Sequence, residues 1–429
     1  MKQYKAPNGA LRLFNKAFYG KYANWPKSIW FNTLVKGKAL KRVQDKARKG
    51  QTLNVIFFVL NLGMWKYESL FKLLLKDKRF NPIIIPYPLL WQSSETLKAN
   101  ENAIIKYCNS MNFPYRIEYS IENRTFVSAD ELDADFVCWS QPYNNCPDFW
   151  KVEKFYHRAL VFTYPYGLPI GKNSHFNNLL VENVAWKIFH TTDSAKNIFT
   201  SNPITHGRNF LWTGSTIYDK LKDRKLSLDN WKQKDLTLKR VIWAPHHTIG
   251  DNDDLPFSTF LIICDDMVSL AKEYEGKIQF VFKPHPMLKE RLESKWGKRR
   301  TTEYYNKWEK MPNTCIQTGD YADLFFSSDA MIHDCAGFTM EYLFTQKPVL
   351  FMMKEDSIKD YVSDFSYSCH NQHYKGKSAD DIRNFLENLI NNIDPMKDSR
   401  FDFYNKHLLP PNGNTAAENM FQEFLNILK

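Results

Sequence analysis

The chain has 429 residues, 43% of them hydrophobic, 24% charged and 15% aromatic. That length suits two or three domains of ~100–200 residues, and the composition excludes general disorder. The formal net charge of +11 is unevenly spread: residues 1–50 hold 13 Lys and Arg against one acid, Asp45, so the remaining chain is close to neutral. Seven scattered cysteines with no C-x-x-C pair fit neither a disulfide framework nor a zinc ribbon, and a reducing cytoplasm is the expected setting. No stretch approaches the ~20 apolar residues of a membrane span, and the basic N-terminus lacks the apolar core of a signal peptide.

Residues 1–50 interleave the basic charge with Phe14, Phe18, Tyr19, Tyr22, Trp25, Trp30 and Phe31. Leu11, Phe14, Phe18 and Tyr22 recur at helical spacing, with Lys16 and Lys21 off the stripe. Such a segment suits an anionic membrane surface; the plainer reading is a helical hairpin packed on the protein with a solvated basic face. Nucleic acid is not an expected partner, because the rest of the chain offers no basic stripe or stacking motif.

From Gln51 short apolar runs alternate with helical stretches. Leu53–Leu60, Pro82–Tyr87, Asp135–Trp139 and Leu160–Tyr164 read as strands, and Trp65–Asp77 as a helix. A charged stretch over 219–239 reads as a linker. Arg240–Ala244, Ile278–Lys283, Ala330–His333 and Pro348–Met353 form a second strand series, and Thr415–Lys429 a closing amphipathic helix. The expected organisation is a basic segment 1–50, an α/β domain 51–218, the linker, an α/β domain 240–414 and a helix 415–429. Two doubly wound parallel sheets joined by a linker imply a ligand cleft.

Four clusters carry chemistry. Lys283-Pro284-His285-Pro286 ends a strand, with His285 fixed between two prolines and Lys283 placed to meet a phosphate. Asp334-Cys335-Ala336-Gly337-Phe338 follows a strand and opens a helix, whose N–H groups and dipole suit an anion; Glu341 would accept from ribose hydroxyls, and Asp334 would cap the helix or touch the ligand. In Pro245-His246-His247-Thr248, two adjacent histidines on a loop do not easily chelate one ion, so phosphate or acceptor contact is expected and metal is not. Thr213-Gly214-Ser215-Thr216 reads as a hinge turn with N–H groups facing the cleft.

With these clusters in place, the chain resembles bacterial CDP-glycerol glycerophosphotransferase-like proteins of teichoic-acid and capsule synthesis. The resemblance runs from about Leu53 to Met353, carried by K-P-H-P at 283–286, S-D-A-M-I-H-D-x3-F-x2-E-Y at 328–342 and K-P-V-L-F at 347–351, with weaker echoes at 65–71 and 133–143. It implies a GT-B fold of two Rossmann-like domains, nucleotide held mainly by the C-terminal one, metal-independent transfer without a cofactor, and peripheral attachment to the inner face of the membrane. His285 matches the family's H-P histidine and Asp334 its aspartate before the turn. Glu341 replaces a later Asp, and Ala336 and Gly337 replace a serine pair. The family's W-H-G-T-P-like histidine has no counterpart in Tyr164-Pro165-Tyr166-Gly167-Leu168-Pro169.

The expected reaction is transfer of glycerol or ribitol phosphate from a CDP-alditol, or another nucleotide-activated donor, to a hydroxyl of a lipid-linked or glycan acceptor. Lys283, His285 and the helix start near Gly337 would hold the phosphates. His247 is the candidate base, with His175 in reserve. Two alternatives are a nucleotide-sugar glycosyltransferase on the same fold and a non-catalytic, membrane-recruited scaffold.

Overall fold

The computed structural model describes residues 2–3, 25–89, 92–123, 125–140, 147–165, 179–222, 224–250, 257–318, 321–335, 337–354 and 358–429. The helical stripe of Ala10–Tyr22, together with His175 and Ala336, lies outside them. Among the described residues, those up to Asp219 together with Pro410–Lys429 form one compact unit, and Lys220–Leu409 form a second.

The first unit is built on a six-stranded parallel sheet: β1 (Leu53–Val59), β2 (Phe80–Pro86), β3 (Phe136–Trp139), β4 (Leu160–Thr163), β5 (Lys187–His190) and β6 (Phe210–Trp212), in the order β2-β1-β3-β4-β5-β6. The β1 run, apolar on both faces, is buried at nearly every position, as a central parallel strand must be. β5 and β6 were not legible as strands; they have four and three residues and lie toward the edge of the sheet.

The helical chain over residues 25–48 packs on this unit. Phe31, Val35, Ala39 and Val43, each four residues apart, are its buried stripe. Its basic residues are partly structural: Arg42 and Lys46 reach the fully buried Asp135 at 3.0 and 2.6 Å. The closing helix Ala416–Ile427 also belongs here. A reciprocal Thr415–Glu418 capping box starts it, and Phe424 sits 4.7 Å from the Phe136 ring and 5.2 Å from Phe162.

The second unit holds β7 (Lys239–Ala244), β8 (Ile278–Phe282), β9 (Thr314–Ile316), β10 (Ala330–His333), β11 (Val349–Met352) and β12 (Tyr374–Gly376), all parallel, in the order β9-β8-β7-β10-β11-β12. In sequence rank this is 3-2-1-4-5-6, the dinucleotide-fold order, whose direction reverses between β7 and β10. The three-residue edge strands β9 and β12 carry no long apolar run, which is why the sequence reading passed over them.

The stretch 219–239 is not a free tether. From Lys220 it is part of the second unit: Trp231 is buried and donates to Ser327 Oγ at 2.8 Å, Gln233 exchanges hydrogen bonds with Gln279, and Arg224 pairs with Asp323. Its charges face solvent while one indole and a few amides hold it down.

Candidate functional site

The first three clusters meet at the carboxyl ends of adjacent strands. Lys283, Pro284 and His285 follow β8; Pro245, His246 and His247 follow β7; Asp334 follows β10. Backbone bonds from Lys283 N to Trp243 O (2.8 Å) and from His285 N to Pro245 O (3.1 Å) carry the β7–β8 ladder into the loops. The site therefore inherits its register from the sheet, beside the point where strand order reverses and where open α/β sheets place ligands.

The result is a cluster of three imidazoles, in which His247 stacks on His285 and His246 packs edgewise. Ring centroids are 4.0 Å apart for His247–His285, 4.3 Å for His246–His247 and 5.1 Å for His246–His285. One ring nitrogen from each lies within 4.8 Å of the others, a spacing that can hold a cation. The sequence reading considered only the adjacent pair; the third ring comes from 38 residues later, supplied by strand adjacency.

Burial, the neighbouring His247 and Arg291 lower the His285 pKa to about 4, so the ring is neutral at pH 7. Its Nδ1 accepts from the Met287 N–H at 3.2 Å, which leaves the ring proton on Nε2. His285 is thus set up as a hydrogen-bond donor through Nε2. His246 shares a 2.9 Å hydrogen bond with Thr248 Oγ1 through Nδ1.

Lys283 is buried, and its ammonium stands 5.7 Å from the centroid of the Tyr321 ring. The Tyr321 hydroxyl in turn donates to Glu341 Oε2. Tyr321 thereby links the cation expected at the phosphate to the acid expected at the ribose. Nothing in the sequence marks it: it is one aromatic among many, in a loop between elements.

Asp334 differs from expectation. It does not cap the helix that follows it. Its carboxylate, 2% exposed, accepts from His246 N at 2.5 Å, Thr259 N at 2.6 Å and Thr259 Oγ1 at 3.0 Å. Thr259 starts the helix Phe260–Glu273, and Ser258 Oγ donates to His246 O at 2.9 Å. Asp334 therefore ties the histidine loop to a helix start, and burial raises its pKa to about 6 against those donors.

The anion helix is also smaller than expected. Phe338–Glu341 is a four-residue α-helix that continues as a 3-10 turn, Tyr342–Thr345, so its dipole is weak. Gly337 starts it, and the Phe338 ring packs 5.1 Å from Tyr321 and 5.2 Å from Phe325.

Gly214 and Ser215 belong to the first unit, and the N–H groups around them are spent inside it. Thr213 and Gly214 both donate to His190 O, and Thr216 donates to the Tyr164 hydroxyl. Gly214 has φ +97°, and a Cβ there would meet Pro410 at 2.5 Å; Ser215 Oγ accepts from Ile217 N at 3.3 Å. This turn seats the returning C-terminal chain, and the N–H groups of Thr213, Gly214 and Thr216 are taken within the unit.

The family model described as CDP-Glycerol:Poly(glycerophosphate) glycerophosphotransferase matches residues 173–422, more than half of the chain. The chain belongs to this glycerophosphotransferase family. The match spans the three histidines, Lys283 and Asp334. A solved variant of the wall teichoic acid polymerase TagF is similar in fold, with a TM-score of 0.59 at 13% identity over 98% of this chain and 96% of that one. The UDP-GlcNAc 2-epimerase from Neisseria meningitidis bound to UDP-GlcNAc gives 0.56 at 12%, over 88% and 100%. The S. aureus MnaA–UDP structure gives 0.52 at 15%, over 88% and 98%. At these identities the likeness is one of fold: parallel-sheet α/β domains of the GT-B class. No curated protein matches the chain.

Proposed function

We propose that the chain transfers an alditol phosphate, glycerol or ribitol phosphate, from a CDP-alditol to a hydroxyl of a lipid-linked or glycan acceptor. Membership of the glycerophosphotransferase family supports the reaction class. The observation that carries the site is the convergence of Lys283, His246, His247 and His285 at the carboxyl ends of β7 and β8.

In this reading the acceptor oxygen bonds to the β-phosphorus as the bond to CMP breaks. Lys283 and the His285 Nε2–H meet the negative charge that gathers on the departing phosphate, in a partly desolvated site where such donors act strongly. His246, held by Asp334, lines the same phosphates. His247, stacked on His285, takes the proton from the acceptor hydroxyl. Tyr321 and Glu341 hold the nucleoside side. The His285 tautomer favours an anion over a metal: a ring nitrogen that carries the proton has no lone pair for a cation.

A ligand that binds only the folded chain raises its apparent stability. CDP or CMP should raise the melting temperature more than UDP, GDP or ADP, with or without EDTA, and His285→Ala should abolish the shift. A preference for UDP or GDP would replace this reading with a sugar transferase, and no shift with any nucleotide would favour a scaffold.

Peripheral attachment to the inner face of an anionic membrane completes the proposal. Ile29, Trp30 and Leu34 are 50, 48 and 60% exposed on the solvent side of the N-terminal helical chain, with Lys38 and Lys41 exposed nearby. No helix among the described residues is long and apolar enough to cross a membrane.

A further inference from the structure

We propose that the second unit holds another ligand site, for a small phosphorylated polyol, at the opposite end of its sheet from the histidine cluster. A cavity of about 430 Å³ opens there, where Lys239, Asp329, Pro348 and Tyr374 mark the amino ends of β7, β10, β11 and β12, and the helix Ala379–Ile390 forms one wall. That volume lies in the range of small-molecule sites, ~300–1,000 Å³.

The charges lining it are unequally satisfied. Each acid is engaged. Asp329 takes Arg240 Nε and Nη2 at 2.8 and 3.0 Å, Asp394 takes Arg400 and the Tyr374 hydroxyl, and Asp381 takes the N–H groups of Lys377 and Ser378. The four lysines, Lys239, Lys347, Lys375 and Lys397, are in no ion pair with these acids. Lys239 Nζ bonds Asn392 Oδ1 at 2.7 Å, Lys347 Nζ bonds the carbonyls of Phe325 and Phe326, and Lys375 Nζ bonds the His370 carbonyl. Arg240 and Arg400, outside the lining, neutralise Asp329 and Asp394, and the Lys375 ammonium turns to the His370 carbonyl on the other face of the sheet; Lys239, Lys347 and Lys397 then stand against Asp381 alone, a formal excess of two.

Burial lowers the amine of Lys347 to about 8, so an anion in the cavity would favour its charged form. Asn384 and Asn388, one helical turn apart, add amides that both donate to and accept from hydroxyls. Cations for a phosphate beside amides for hydroxyls define the ligand class. The same chemistry occurs in a free polyol phosphate and in one repeat of a polyol-phosphate polymer. The inference does not depend on the transferase reading, since the two sites lie at opposite strand ends.

Calorimetric titration of the full chain with glycerol 3-phosphate, glycerol, inorganic phosphate and a short glycerol-phosphate oligomer tests it. Glycerol 3-phosphate should bind, glycerol should not, and inorganic phosphate should bind more weakly. The double variant Lys397→Glu/Asn388→Asp, at two exposed positions, should keep its thermal midpoint and lose about tenfold or more in affinity, while His285→Ala should leave this binding unchanged. Tighter binding of the oligomer would assign the site to polymer, and equal binding to the free compound. The proposal is overturned if glycerol 3-phosphate does not bind, if inorganic phosphate binds equally well, or if His285→Ala abolishes binding that the double variant retains.

Discussion

A carboxylate held by two backbone N–H groups and a hydroxyl, as Asp334 is, acts on ligand through the loop it fixes. Asp334→Asn keeps the shape and turns one acceptor into a donor that faces an N–H. We expect a loss of ~1–3 kcal/mol in urea unfolding, the penalty of a buried unsatisfied group, together with a weakened nucleotide shift, because His246 loses its tether. Unchanged stability and an unchanged shift would remove Asp334 from the site. Residues differ in how legible they were. His285 and Lys283 stand out because two prolines fix a histidine at a strand end, a local signal. Asp334 was picked for its position and turned out to serve a different partner, 88 residues away from it in sequence. Tyr321 gave no signal, because its role exists only where Lys283 and Glu341 flank it. Gly214 was read as a ligand turn from its neighbours, when its left-handed backbone answers to Pro410.

At the scale of elements, continuous apolar runs were read as strands even at four residues, as in β3, β4 and β10, whereas β5 and the three-residue β6, β9 and β12 were missed. β1 and β8 announce themselves by continuous burial; β9 and β12 have three residues each and exist because a neighbouring strand offers hydrogen bonds. The stretch 219–239 misleads for the converse reason: its composition is that of a tether, yet one tryptophan in the core is enough to dock it. Removing a buried Trp side chain costs ~3–5 kcal/mol, so Trp231→Ala should lower the unfolding free energy by about that amount and expose 224–238 to limited proteolysis. Wild-type stability in this variant, with no new cleavage, would return the segment to the linker reading. The N-terminal helical chain shows the same double use: Arg42 and Lys46 are committed to Asp135, while Lys38 and Lys41 remain at the surface.

For the whole molecule, the unequal charge distribution and the apolar exposed face of that N-terminal chain give a test of membrane attachment. The chain should float with vesicles containing phosphatidylglycerol, and less so as salt rises, since such attraction is screened within a Debye length. Trp30→Glu/Leu34→Glu should reduce flotation about fivefold or more without moving the thermal midpoint, because both side chains already face solvent. Flotation that this variant leaves intact would locate attachment elsewhere or dismiss it.

The sequence by itself determined that two parallel α/β sheets would form, because strand-length apolar runs alternating with helical periods have few other ways to bury themselves. It also determined that a lysine and a proline-fixed histidine would stand at one strand end, since covalent neighbours and backbone restriction are local properties. The tertiary structure decided what depends on residues far apart in sequence: that His246, His247 and His285 cluster, that Asp334 anchors rather than caps, that the C-terminal helix returns to the first unit, and that Lys239, Lys347 and Lys397 line one cavity. Strand order brings the histidines, Asp334 and the cavity lining together, and apolar packing of Phe424 on Phe136 and Phe162 returns the helix. Order is chosen by the summed packing of whole elements, and no short stretch of sequence carries that sum.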